Sequence, residues 1–335
     1  MPEFGFPAQP RSAEMARIIS DLRKRGDDTR VATVTGRFAD VTAERRGQVS
    51  ELMQIEKSIG DLQGYADSIA LSELRASTTQ RSLDQLSELG QNLSNAVDPI
   101  LTNGTDANFE IISGVANASL ESAISALNVS IAGRALFGGD DAGTAPMLDA
   151  ASIFAASTPF LEGAASANGA YTALRSEFLG GAGLFETTFY HGGLNNAPVT
   201  EVAPGERVDY AARADETAIR DVLFNITVMA AAYDTTNGIP ADQRRELVAQ
   251  ASIGLRNADS QIANLQGRVG SAEARIAAQK SRNIATEAAL TLRFNDLAGA
   301  DSFEAALQLT ELENQLETAY ATTARLSNLS LANFL

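Results

Sequence analysis

The sequence predicts a mainly α protein, with long N- and C-terminal helices paired as an antiparallel coiled-coil bundle and a small α+β middle domain. Three observations carry this. Apolar residues near both ends recur at alternating intervals of three and four, the a/d spacing of helices that pack on helices. A glycine-rich stretch closed by proline, "GRALFGGDDAGTAP" at 133–146, separates a helical first part from the rest of the chain. Composition is lean: 44% of residues are hydrophobic, yet only 6% are aromatic, there is no Trp, and much of the apolar share is Ala. Such material suits long helices better than one thick globule.

Taken in order, Met15, Ile18, Ile19 and Leu22 mark a first amphipathic helix. "RKRGDD" at 23–28 predicts an interruption, after which Val31 and Val34 resume the pattern. Leu52, Ile55, Ile59, Leu62, Ala66 and Ile69 then form a heptad seam, weakened locally by Gly60 and Gly64. A further run, Leu83, Leu86, Leu93 and Val97, is expected to stop before Pro99. Phe109, Ile112, Val115, Leu120, Ile124, Leu127 and Ile131 predict a helix over 106–132.

The middle, 140–214, is rich in Ala, Gly, Ser and Thr. Short helices are expected near 146–156 and 166–178, and short strands at 187–193, 197–202 and 206–214. Asp215 reads as an N-cap before a returning helix. After a loop at 234–243 comes the most regular seam of the chain: Leu255, Ala258, Ile262, Leu265, Val269, Ala272 and Ile276. "AGADSFEAA" breaks and restarts the helix, with Asp301 and Glu304 spaced as a capping box. The last helix carries Leu309, Leu312, Leu316, Ala319 and Thr323, so its seam turns polar.

Tyr320, Leu326 and Phe334 extend helical spacing towards residue 335, with no Gly, Pro or basic last turn to stop it. A helix so written asks for a partner to cover it. The expected organisation is an N-terminal helical arm at 1–132, an outer mixed domain at 133–214 and a C-terminal helical arm at 215–335 that packs on the first. The candidate assembly interface is the set of seams: Leu52, Ile55, Ile59, Leu62, Leu255, Ile262, Leu265, Val269, Ile276, Leu312, Leu316, Tyr320, Leu326 and Phe334.

The formal net charge of −16 argues against nucleic acid or an anionic membrane as partner, since both require a basic surface. With no cysteine there are no disulfides, thiolate metal sites or Cys nucleophiles. The first fifteen residues lack a basic segment followed by an apolar one, so no cleaved secretory signal is expected. No apolar run is long enough to span a membrane.

Chemistry is sparse. The single histidine, His191, sits in "FYHGGLNN" without an acid–base partner or carboxylates at ligand spacing. "GGDDAG" lacks the alternating oxygens of a Ca²⁺ loop, and "FLGGAGLF" lacks the Lys-Ser/Thr of a phosphate loop. Catalytic, metal and cofactor residues are therefore expected to be none, and an enzyme is not predicted.

Four stretches carry a resemblance. "VTGRFADVTAERRG" (34–47), "GRALFGG" (133–139), "VDYAARADETAIRDVLFNI" (208–226) and "LETAYATTARLSNLSLANFL" (316–335) together resemble the flagellin-like family. The likeness is strongest to the hook–filament junction group, hook-associated protein 3, in its alphaproteobacterial form. Gly133, Arg134, Leu136, Phe137 and Gly139 match the motif that closes the family's N-terminal helical part. The Asn-rich opening and Arg-Ile-Ser-Thr-Gly loop of filament flagellins are absent, and 140–207 matches nothing in the family. The resemblance implies a structural subunit, exported by the flagellar type III system without a cleaved signal and assembled outside the cell in the flagellum. Its implied partners are other copies of itself, a neighbouring hook-associated protein, flagellin and an export chaperone on the C-terminal helix. A filament flagellin and a cytoplasmic coiled-coil signalling or adaptor protein are the alternatives.

Overall fold

The computed structural model describes residues 9–44, 47–197, 199–234 and 236–332, with the backbone alone for 9–12 and 326–332. Among the described residues the helices are α1 (Gln9–Thr35), α2 (Val41–Glu44), α3 (Val49–Asn103), α4 (Asp106–Leu127), α5 (Ala150–Glu162), α6 (Ala167–Leu179), α7 (Thr217–Ala232), α8 (Ala241–Ala298) and α9 (Ser302–Ala332). Two small antiparallel hairpins accompany them: β1 (Ser130–Ile131) with β2 (Arg134–Ala135), and β3 (Thr200–Ala203) with β4 (Glu206–Val208). The architecture is mainly α with a small mixed part. The chain divides into two compact units, Met1–Gln63 with Ile284–Leu335, and Gly64–Asn283.

In the first unit α1 and α9 run antiparallel along a thin seam. Met15, Ile19, Leu22, Gly26 and Thr29 of α1 form one covered stripe, and Ala305, Leu309, Leu312, Leu316, Ala319 and Thr323 of α9 form the other. Both step by three and four, as paired helices require. The interruption expected at 23–28 does not occur, because α1 is continuous. Gly26 sits on the covered stripe, where packing along α9 offsets its poor helix propensity. α1 stops at Gly36, whose φ of +66° is the left-handed end that glycine adopts freely; its N–H donates to Ala32 O at 2.9 Å. A second small cluster joins Leu52 and Ile55 to Leu297, with Val41, Ile59, Leu290 and Phe294 against it.

The second unit holds the large core. Its centre is α7, in which every residue from Ala218 to Ala232 is buried. Apolar side chains project from most of its circumference, so it must be covered on all sides, and the polar residues among them must find partners inside. α4, α5 and α6 pack against it, and Leu247, Val248, Ala251, Leu255 and Ala258 of α8 belong to the same cluster. Within this unit α3 contributes Ile69, Ser72, Ala76, Thr79, Leu83, Leu86, Gly90, Leu93 and Val97 as one unbroken heptad stripe. Its seam is matched by Leu255, Ala258, Ile262, Leu265, Val269, Ala272, Ile276, Gln279 and Asn283 of α8.

Several local expectations are corrected. α3 does not end before Pro99 but runs through it to Asn103. A proline so near the end removes a single helical hydrogen bond, while Ile100 and Leu101 pack on the core and Arg245 donates to Leu101 O and Gly104 O. The helix expected over 106–132 stops at Leu127, because the Asn128 side chain instead pairs with both the N–H and the C=O of Met147. Ile131 then belongs to β1. The short helices lie at 150–162 and 167–179, capped by Asp149 and Ser166.

The strand expected at 187–193 is instead a π turn at Phe185–Phe189 followed by one bridge, Met147 to Tyr190. Packing among Phe178, Phe185 and Phe189 overrides the β propensity of "TTFY". The other two strands shorten to 200–203 and 206–208. α7 is entered from Glu216 rather than Asp215, because Asp215 is held in a two-point pair with Arg213, both distances 2.8 Å.

The β1–β2 turn puts Ala132 at φ 52° and Gly133 at φ 72°, the doubly left-handed geometry of a type I′ hairpin. Alanine is strained there and asparagine is not. Ala132→Asn is expected to raise the stability of the second unit by about 1 kcal/mol. A shift of the urea midpoint to higher concentration, with unchanged slope, checks it.

Candidate assembly interface

The seam residues singled out from sequence lie in two places. Leu255, Ile262, Leu265, Val269 and Ile276 are all buried within the core of the second unit. They are used inside the chain. Leu52 and Ile55 are buried in the first unit, with Ile59 and Leu62 half-buried beside them. Leu312 is buried against α1 and Leu316 is half-buried. Tyr320 is 41% exposed and lies one position off the α9 stripe. Its hydroxyl accepts from Arg23 Nε at 2.6 Å, and the Arg23 guanidinium stands 5.4 Å from the ring centre. It clasps the edge of the α1–α9 pair and does not fill the seam. Leu326 lies in α9, where only the backbone is described, and Phe334 lies outside the described residues.

Charged contacts flank both seams. In the first unit Arg30 faces Glu313 at 3.7 Å and Arg293 faces Glu51 at 2.8 Å. In the second, Lys280 meets Glu73 at 2.7 Å and Arg256 meets Asp98 at 2.8 Å. Such half-exposed pairs contribute little stability each, but their spacing agrees with the antiparallel register in both units.

The Gly-Arg motif forms a backbone hub in the second unit. Phe137 is fully buried, and its carbonyl accepts from Ala214 N at 3.0 Å. Leu136 N donates to Val129 O, and Gly193 N donates to Gly138 O at 2.8 Å. Asp140 N donates to Asn195 O, while the Asp140 carboxylate accepts from Asn195 N at 3.1 Å and Asn195 Nδ2 at 2.8 Å. These hydrogen bonds hold the Asp140 carboxyl below the usual carboxylate range. Arg134 Nη2 donates to Gly139 O, and Arg213 donates to Leu194 O. Gly139 combines φ +62° with a close approach: a Cβ there would stand 2.4 Å from Asn195 O. The motif thus ties the end of α4 to the loops at 191–196 and 213–216. Sequence reading singled out Gly133, Arg134, Leu136, Phe137 and Gly139 but not their partners Asn195 and Ala214, which no spacing rule connects to them.

α7 carries polar groups that sequence reading did not single out. Arg220 is buried, with Nη2 donating to Gly180 O at 3.1 Å, Nη1 to Glu186 at 3.3 Å, and its guanidinium over the Phe185 ring. Asp221 accepts from Arg175 at 3.0 Å and from Gln261 Nε2 at 3.2 Å. Asn225 accepts from Tyr171 Oη at 2.7 Å and donates to Asp221 O. Burial raises the Tyr171 hydroxyl above its ordinary range. Each group is paired, as buried charges must be. The arrangement anchors helices and leaves no group free for chemistry. His191 is exposed in a loop, with its backbone N–H on Pro146 O. Among the described residues no cluster of three or more His, Cys, Asp and Glu could hold a metal. Nor is any described helix long and apolar enough to cross a membrane.

Residues 254–335 match the family model of the bacterial flagellin C-terminal helical region. The match takes in most of α8 and all of α9. Two solved structures share the fold. One, assigned as a flagellar hook-associated protein from Vibrio parahaemolyticus, has a TM-score of 0.54 at 13% identity, over 76% of this chain and 99% of that one. The other, FlgL from Bacillus cereus, has a TM-score of 0.53 at 16% identity, over 72% of this chain and 99% of that one. Comparison with curated protein sequences finds no match. The chain therefore has the fold of these flagellar proteins and a flagellin-type C-terminal helical region. Neither of these two proteins is described as an enzyme.

Because Gly139 joins a left-handed backbone to a closed space, Gly139→Ala is expected to destabilise the second unit by about 2–3 kcal/mol. Urea unfolding followed by helical circular dichroism would report it as a lowered midpoint.

Proposed function

We propose that the protein is a structural subunit of the bacterial flagellum that joins the hook to the filament, a hook-associated protein 3 of the alphaproteobacterial type. The observation that carries this reading is the flagellin-type C-terminal region at 254–335 on a fold shared along nearly the whole length of two flagellar proteins. The absence of a catalytic constellation among the described side chains is compatible with it. In this reading the chain has an export and helical arm at 1–132, an outer domain at 133–214 and a C-terminal arm at 215–335. It leaves the cell through the flagellar type III route and works in the extracellular flagellum. Its partners are further copies of itself, a neighbouring hook-associated protein, flagellin and a chaperone that covers the C-terminal helix before export.

The α1–α9 pair is the part best suited to be completed by neighbours. Of the large apolar side chains on its stripes only Leu22 and Leu312 are buried, while Met15, Ile19, Leu309 and Leu316 are half-buried, so it buries little apolar surface within one chain. A seam this thin gains from further helices, and ordering on docking leaves the free subunit adaptable. Filament flagellin is the second reading, favoured by the family that the C-terminal match names.

Deleting the gene separates the readings. A junction protein predicts bare hooks with unpolymerised flagellin shed into the medium. A filament subunit predicts missing or shortened filaments without shed flagellin. Normal motile filaments in a strain with no second copy would return the chain to the cytoplasmic coiled-coil alternative. Removing 316–335 is expected to abolish assembly while the second unit stays folded; truncated protein that still supported filaments would refute the role given to the last helix.

A further inference from the structure

Three Asn-Gly pairs occur: Asn103–Gly104, Asn168–Gly169 in the first turn of α6, and Asn237–Gly238. Glycine after asparagine leaves the next backbone nitrogen unshielded, so it can attack the side-chain carboxamide; asparagine is thermolabile for this reason. Gly169 N–H donates to the capping Ser166 Oγ at 3.1 Å, and the other two pairs are restrained in different ways. Gly104 N–H donates to Ile100 O at 2.7 Å, a bond that belongs to the end of α3. Gly238 N–H donates at 2.8 Å to Oε1 of Glu162, a side chain 76 residues away in sequence. Glu162 is the last residue of α5. An acid is unfavourable at a helix C-terminus, where the dipole is negative, so its own helix does not account for it. The Asn237 carboxamide is held too, with Nδ2 donating to Ala231 O at 3.1 Å.

We propose that Asn237–Gly238 is a latent deamidation site and that the Glu162 carboxylate keeps it closed. The reaction needs no cofactor. The Gly238 nitrogen loses its proton to solvent and attacks Asn237 Cγ; a C–N bond forms and the carboxamide nitrogen leaves as ammonia. Water then opens the resulting succinimide to aspartate or isoaspartate, with no change of oxidation state. The Glu162 oxygen opposes the first step twice. It occupies the N–H, and its negative charge disfavours the nitrogen anion. Isoaspartate would add a carbon to the backbone of the loop that leads into α8 and would remove the Asn237 amide from Ala231 O.

The test incubates the full-length chain in mildly alkaline buffer and maps isoaspartate by peptide mass spectrometry. Glu162→Ala is expected to speed isoaspartate formation at 237 roughly tenfold, the factor that loss of one charged hydrogen bond is worth. Glu162→Gln, which keeps a neutral acceptor, should fall between. Asn103 serves as the internal reference and should not change. Glu162→Ala is expected to fold, since the exposed Gly238 N–H can turn to water and α5 loses an unfavourable terminal charge. Adding Gly238→Ala to Glu162→Ala should slow the reaction again, because a Cβ there meets nothing closer than 3.8 Å and shields the nitrogen. Equal rates at 237 in parent and Glu162→Ala, or an equal rise at both 103 and 237, would overturn the proposal.

Discussion

From Ala218 onward helix α7 exposes no side to water, so the elements of the larger unit must be arranged to enclose both its apolar and its polar residues. Every residue of α7 from Ala218 to Ala232 is buried. Enclosure explains why α4, α5, α6 and the early part of α8 share one core. It also explains why the polar groups that α7 brings inside are so fully partnered. Arg220 is met by two carbonyls, a carboxylate and an aromatic face; Asp221 is met by Arg175 and Gln261. Removing one partner of such a group strands a buried charge, which costs far more than the pair contributes.

The two units differ in how they hold together. The larger has a continuous core rich in Phe, Leu and Ile, stacked rings such as Phe109 on Tyr233, and the backbone hub at 133–140. Among its described residues the smaller has two thin apolar contacts, the α1–α9 stripe and the cluster of Leu52, Ile55 and Leu297, beside a backbone link between Gly36–Phe38 and Ala298–Ala300. Apolar area buried sets the main favourable term in folding, so the smaller unit has less to set against the entropy of ordering its helices. That division suits the proposed function, in which the subunit travels and then joins neighbours.

Legibility in the sequence followed the chemistry of each seam. The stripe at 255–276 is apolar at every step, and its heptads are plain. The middle of α3 obeys the same spacing but places Ser72, Ala76, Thr79 and Gly90 on the buried face, so hydropathy alone splits one helix into two runs. Gly26 and Pro99 read as breaks because local propensity carries no information about the packing that overrides it. The segment 187–193 reads as a strand because "TTFY" has β character; three phenylalanines meeting in space decided otherwise. At the candidate interface, the motif residues 133–139 were visible, yet their role as a hub depends on Asn195 and Ala214, which only the fold brings near. Tyr320 was visible as helical spacing and not as the clasp to Arg23, since a contact across 297 residues leaves no periodicity.

Native-state hydrogen exchange on the free full-length chain tests the difference between the units most directly. The expected result is that amides of α1 and α9 exchange through low-energy local opening, while those of α7 and the adjoining stretch of α8 exchange only with global unfolding. Equal protection of α1, α9 and α7 would contradict it.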